Sequence, residues 1–148
     1  SWIESGGHFV SQYHRPIDNW DKTQSAPLRL QPGSPSIRWR VTDAAAPVQM
    51  LQPDHPLLNN PNSITGEDFD GWIKERGLYF ASEWDPDYVP LLAMSDADEA
   101  PLEGSILAAR IGAGSHVHCA LNLFYQMDHM VVGAFRLFAN LLTPSGRT

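Results

Sequence analysis

Residues 105–124 read SILAARIGAGSHVHCALNLF. Two apolar, β-compatible runs, 105–111 and 115–124, flank Gly112-Ala113-Gly114. A short glycine turn between two such runs predicts a β-hairpin. On its second strand, two-residue alternation places Val117, Cys119, Leu121 and Leu123 on one face and His116, His118 and Asn122 on the other. Just downstream, Val131, Phe135, Phe138 and Leu142 recur at helical spacing. They predict a helix over 131–142 with that stripe on the core, ended by Pro144.

Upstream the signals are weaker. Residues 1–5 read as the tail of a helix, stopped at Gly6-Gly7, where positive φ is cheap. Residues 8–14 alternate as a strand. Residues 15–61 hold eight of the twelve prolines and predict a long connection with short strands at 37–42 and 47–50. Thr65 and Asp68 form a variant capping box, and Phe69, Trp72 and Ile73 fall at i, i+3 and i+4. A helix is therefore expected over 65–76, stopped by Gly77 and followed by a short strand at 78–80. Interleaved helices and strands ending in a hairpin and a helix indicate one α/β domain over residues 1–148, its sheet antiparallel near the C-terminal edge.

Composition narrows function. The chain has 148 residues and a net charge of −7, which argues against nucleic acid as a partner. No apolar run approaches the roughly 20 residues that span a bilayer. Twelve of the seventeen acids lie in residues 51–105, where Lys74 and Arg76 are the only Lys or Arg residues. Most of that charge reads as a solvated face. The chain starts Ser1-Trp2-Ile3 and reads as a piece of something longer, and its single Cys119 leaves the compartment open.

Several residues invite a chemical reading. Trp72, Tyr79, Trp84 and Tyr88 sit among carboxylates, the usual mix for stacking on sugar rings and bonding their hydroxyls. Candidate ligand-binding residues are Trp72, Glu75, Arg76, Tyr79, Trp84 and Asp85. Glu75 and Arg76 also read as a partly buried ion pair fixing a corner. His116 and His118, two apart on a strand, and Asp96 and Asp98, in an acidic turn, are weak metal candidates. No third ligand at a telling spacing accompanies them, and the histidines read as exposed or edge-packed. Cys119 points to the apolar face, where a thiol is inert. No nucleophile elbow or phosphate loop is present, so no catalytic residue is assigned.

HPLLNNPN (55–62), DFDGWIKERGLYF (68–80), WDPDY (84–88), DEAPLEGS (98–105) and AFRLFANLL (134–142) together resemble the C-terminal region of large bacterial PIG-L (LmbE-like) deacetylase-family proteins. That region is similar to class I glutamine amidotransferase-like domains. The resemblance runs from about Gly6 to Leu142. It implies a flavodoxin-like α/β sandwich, incomplete at its N-terminal side, with a C-terminal hairpin and helix. It implies a non-catalytic accessory domain that binds glycan or packs on a catalytic domain. The zinc of such proteins belongs to a separate deacetylase domain with a His-Pro-Asp-Asp motif. Pro53-Asp54-His55-Pro56 is not that motif, and Cys119 does not match the amidotransferase nucleophile. His116 and His118 stand where relatives carry an aromatic pair. Residues 125–132 replace a typical Arg- and Pro-containing turn. The alternatives are a hydrolase or amidotransferase whose catalytic residues lie upstream, and an oligomerisation module.

Overall fold

The computed structural model describes residues 1–13 and 26–144. His14 and the start of the proline-rich connection lie outside them. The strands are β1 (His8–Gln12), β2 (Leu30–Pro32), β3 (Val48–Met50), β4 (Ala81–Trp84), β5 (Val89–Pro90), β6 (Leu92–Met94), β7 (Ile106–Ile111) and β8 (Gly114–Cys119). The α-helices are α1 (Leu123–Asp128) and α2 (Val132–Leu142). The fold is mixed α/β.

The expected hairpin is present as β7–β8, but its turn is only Gly112-Ala113 and its second strand ends at Cys119 rather than 124, with Leu123 already in α1. It forms the middle of a four-stranded sheet ordered β1-β8-β7-β5. β1 pairs with β8 in parallel, with His8 opposite Ser115, while the other two pairings are antiparallel. The sheet is mixed, and β8 is a central strand whose six residues are all buried. This corrects the reading of His116 and His118 as exposed or edge-packed. β1, from the far end of the sequence, covers what would otherwise be an open edge.

Alternation along β7 and β8 feeds two cores. Ile106, Ala108, Val117 and Cys119 face a large cluster that includes Leu57, Phe69, Trp72, Phe80, Leu137 and Leu141. Leu107 and Ala109 face a smaller one with Leu30, Ala81 and Tyr88. The helices, the 3₁₀ turns and the antiparallel β3–β6 ribbon cover the first face. The antiparallel β2–β4 ribbon covers the second. Burial on both faces fits the mostly apolar run of β7, whereas β8 buries the polar Ser115, His116 and His118.

The structure corrects the reading of 65–76 as a helix. Only Gly66–Phe69 turns, as a 3₁₀ element, although the Thr65–Asp68 capping box is formed. Asp70 is extended and Gly71 takes φ +75°, so the turn ends after one revolution. The backbone beyond bonds to distant partners. Gln126, fully buried, accepts from the Ile73 N–H at 2.9 Å and donates to its carbonyl at 2.8 Å. The Arg76 N–H donates to the Val41 carbonyl. A side-chain amide here does the work of a neighbouring strand.

Three other expectations shift. Residues 37–42 form a 3₁₀ turn at Ser36–Arg38 and a single bridge from Val41 to Gly77 rather than a strand. The strand expected at 78–80 starts later, as β4. Residues 125–132 are not simply a loop, because α1 runs through Asp128.

α2 lies where expected but turns a different face inward. Ala134, Leu137 and Leu141 are fully buried, while Val131 and Phe138 are only partly so. Phe135 and Leu142, from the predicted core stripe, face out. The helix is apolar on both sides, so spacing alone did not choose between them. Its few polar groups did. Asn140 donates to the Leu57 and Asn62 carbonyls at 2.9 and 2.7 Å and accepts from the Asn62 N–H at 2.9 Å. Arg136 Nε donates to Asp68 Oδ1 at 2.7 Å.

Candidate functional site

The six residues proposed from sequence do not converge. Trp72 is buried, its indole N–H donating to the Asp68 carbonyl at 2.9 Å. Arg76, also buried, lies over both Phe69 and Trp72, 5.6 and 5.5 Å from their ring centroids. Its guanidinium donates to the Ala46 carbonyl from Nε and Nη2, at 3.1 and 2.7 Å, and to the Phe69 carbonyl from Nη1, at 2.6 Å. Burial lowers its pKa, opposed by Asp43 and Asp70.

Glu75 faces elsewhere. It accepts from Asn122 Nδ2 at 2.8 Å and from the Tyr13 hydroxyl at 3.4 Å. The expected Glu75–Arg76 ion pair is therefore not formed. Each finds its own partners, Glu75 in Asn122 and Tyr13, Arg76 in the Ala46 and Phe69 carbonyls. Tyr79, half-buried with φ +61°, packs edge-on against Tyr13. Trp84 sits on β4 against the smaller core, and Asp85 caps its own turn by accepting from the Asp87 N–H. Glu75 and Tyr79 thus share Tyr13, Trp72 and Arg76 stack together, and Trp84 and Asp85 belong to the β2–β4 side.

The weak metal candidates are placed just as firmly. Ser11 Oγ lies 2.8 Å from both His116 Nε2 and His118 Nδ1, and the Tyr88 hydroxyl is 2.7 Å from His116 Nδ1. Burial raises the Tyr88 phenol pKa, partly offset by the Leu28 N–H donating to its oxygen. Tyr88, His116, Ser11 and His118 thus form one hydrogen-bonded chain, with the donor and acceptor roles along it following the imidazole tautomers. Phe9 stacks on His116 at 4.9 Å. Asp98 is exposed at a turn with φ +63°. Among the described residues no three His, Cys, Asp or Glu side chains are grouped to hold a metal ion. Zinc does not fit at Pro53-Asp54-His55-Pro56, where Asp54 is exposed and His55 Nδ1 is taken by the Leu57 N–H. Burial pushes the Cys119 thiol up to about 12.

Asp96 clamps a loop. Its Oδ2 accepts from the Thr42 N–H and hydroxyl, both at 2.9 Å, and its Oδ1 from the Asp43 N–H at 2.7 Å. Arg40 Nη1 lies 3.2 Å away. Burial alone would raise this carboxyl's pKa; the N–H bonds, the Thr42 hydroxyl and Arg40 outweigh it and hold the pKa low. A folded pKa below the unfolded value of about 3.9 stabilises the fold above that pH. The stabilisation is lost as pH falls through the folded value. Asp96→Asn is expected to destabilise at pH 7, with the gap to wild type closing below about pH 4. Urea midpoints at pH 7 and pH 3 check this, and an unchanged gap would contradict it.

The arrangement with chemical potential is one that sequence did not reveal. A cavity of about 410 Å³ opens over the β7–β8 hairpin, its lining including His55, Leu57, Val89, Arg110, Ser115 and Val117. Ser115 Oγ is 2.6 Å from His8 Nδ1, and His8 Nε2 is 2.7 Å from the Leu141 carbonyl. Three elements meet there: β8, β1 and the end of α2. Serine and histidine lie 107 residues apart, and only the parallel β1–β8 register joins them. No local motif could have shown it.

Comparison with protein-family models, with curated proteins and with solved structures finds no match. Among the described residues, no helix is long and apolar enough to cross a membrane.

Proposed function

We propose that this chain is an accessory domain that packs on a neighbouring catalytic domain through the outer face of α2. The setting is the one its sequence resembles, a PIG-L-type sugar N-deacetylase-like protein with a flavodoxin-like, amidotransferase-related accessory region. The supporting observation is α2 itself. Val132, Phe135 and Leu142 are 70%, 43% and 50% exposed, and Met130, just before the helix, is 75% exposed. The polar side chains of the same helix, Arg136 and Asn140, turn towards the protein. A helix apolar on both sides is ordinarily covered on both. Clustered exposed apolar side chains mark interaction surfaces. A sheet buried on both faces with a parallel outer pair is compatible with the flavodoxin-like part of the proposal.

Sedimentation analysis tests it, on the chain alone and mixed with a PIG-L-type deacetylase domain. A complex is expected, weakened at least tenfold by Val132→Glu with Phe135→Glu, since buried apolar anchors are each worth over about 1 kcal/mol. A dimer of the chain alone, lost in the double variant, would favour the oligomerisation alternative. Absence of both species would sink the proposal.

A further inference from the structure

The polarity of the Ser115–His8 pair is set from outside it. The Leu141 carbonyl can only accept, so His8 Nε2 carries the proton it receives. The neutral imidazole then offers Nδ1 as an acceptor, and the Ser115 hydroxyl donates to it. A hydroxyl, a base and an acceptor that orients the base stand in sequence, the arrangement by which serine nucleophiles are activated. Ser115 is 8% exposed and is one of the residues lining the cavity. His55 lines the same cavity. Its Nδ1 accepts from the Leu57 N–H at 3.1 Å, so its proton is on Nε2. Burial lowers its pKa, which favours the neutral imidazole.

We infer that the chain hydrolyses small carboxylic esters in this cavity, with Ser115 as nucleophile, His8 as general base and His55 as donor to the carbonyl oxygen. About 410 Å³ is within the size range of small-ligand sites, and Leu57, Val89 and Val117 provide apolar wall for a short acyl chain. Ser115 Oγ bonds to the ester carbonyl carbon as its proton passes to His8 Nδ1. The tetrahedral intermediate expels the alcohol, which takes that proton from His8. Water, its proton drawn by His8, then attacks the acyl-serine. The carboxylic acid leaves, and His8 returns a proton to Ser115. This inference goes beyond the packing role and does not depend on it.

The test treats the folded wild-type chain with a fluorophosphonate probe, maps the modified peptide by mass spectrometry, and follows p-nitrophenyl acetate hydrolysis. Phosphonylation at Ser115 and an initial burst of p-nitrophenol are expected. His8→Gln should slow both by about 10²-fold or more, the usual contribution of a general base. Ser115→Ala should abolish them, with circular dichroism confirming the fold. If that variant unfolds, Ser115→Cys replaces it and is expected to carry the acyl group on its thiol. An unmodified Ser115 in the folded wild type, or labelling of His8→Gln at the wild-type rate, would overturn the inference and leave the pair as a clasp between β1, β8 and α2.

Discussion

Arg76→Ala is expected to cost about 3–5 kcal/mol, from two buried acceptors left without their donor together with the void the side chain leaves. That is a large part of the 5–15 kcal/mol that holds a typical domain together. Arg76 is 4% exposed, and its guanidinium makes three hydrogen bonds to two carbonyls. Alanine would leave the Ala46 and Phe69 oxygens without their donor and open a void beside Phe69 and Trp72. Arg76→Met separates the two effects. It restores most of the volume and removes the burden of a desolvated charge, but supplies no donor. Its cost should fall to about 1–3 kcal/mol, the penalty for orphaned buried acceptors. Urea unfolding of both variants measures this. A loss under about 1 kcal/mol for Arg76→Ala would show that the guanidinium does not pin the corner.

Gly133→Ala should destabilise, although helix propensity favours alanine by about 1 kcal/mol. A Cβ at Gly133 would sit well under 3.0 Å from the backbone of Asp68. That backbone cannot yield easily, because Asp68 accepts from the Thr65 N–H on one oxygen and from Arg136 on the other. α2 must therefore move off the 3₁₀ turn, and such overpacking costs about 1–3 kcal/mol. Gly66→Ala is the control, since a Cβ there meets nothing within 4 Å. Its melting temperature should stay close to wild type while that of Gly133→Ala falls. Equal behaviour of the two would contradict the account.

The contrast between these positions shows what the sequence could and could not convey. The β7–β8 hairpin and α2 were legible because each depends on local spacing and a nearby turn. The capping box at Thr65 was legible for the same reason, yet the helix expected behind it was not. Asp70-Gly71 ended the turn, and Gln126 and Val41 took the backbone groups a helix would have used. The inward face of α2 depended on where Asn140 and Arg136 found partners, up to 83 residues away. The Trp72–Asp85 stretch read as a candidate site because aromatic and charged residues crowd it. Burial of Trp72, Glu75 and Arg76, and their separate partners, emerged only in three dimensions. Ser115 and His8 carried no signal at all.

The β1–β8 pairing also bears on how the chain is made. At roughly 5–20 residues per second, translation separates the emergence of His8 from that of Ser115 by about 5–20 s. A further 107 residues must be synthesised after His8 before β1 can meet Ser115 on its partner strand. Throughout that interval β1 is a nascent segment that the finished protein places against its central strand. The hairpin needs only a local closure, whereas pairing β1 with β8 must work against the entropy of a long loop.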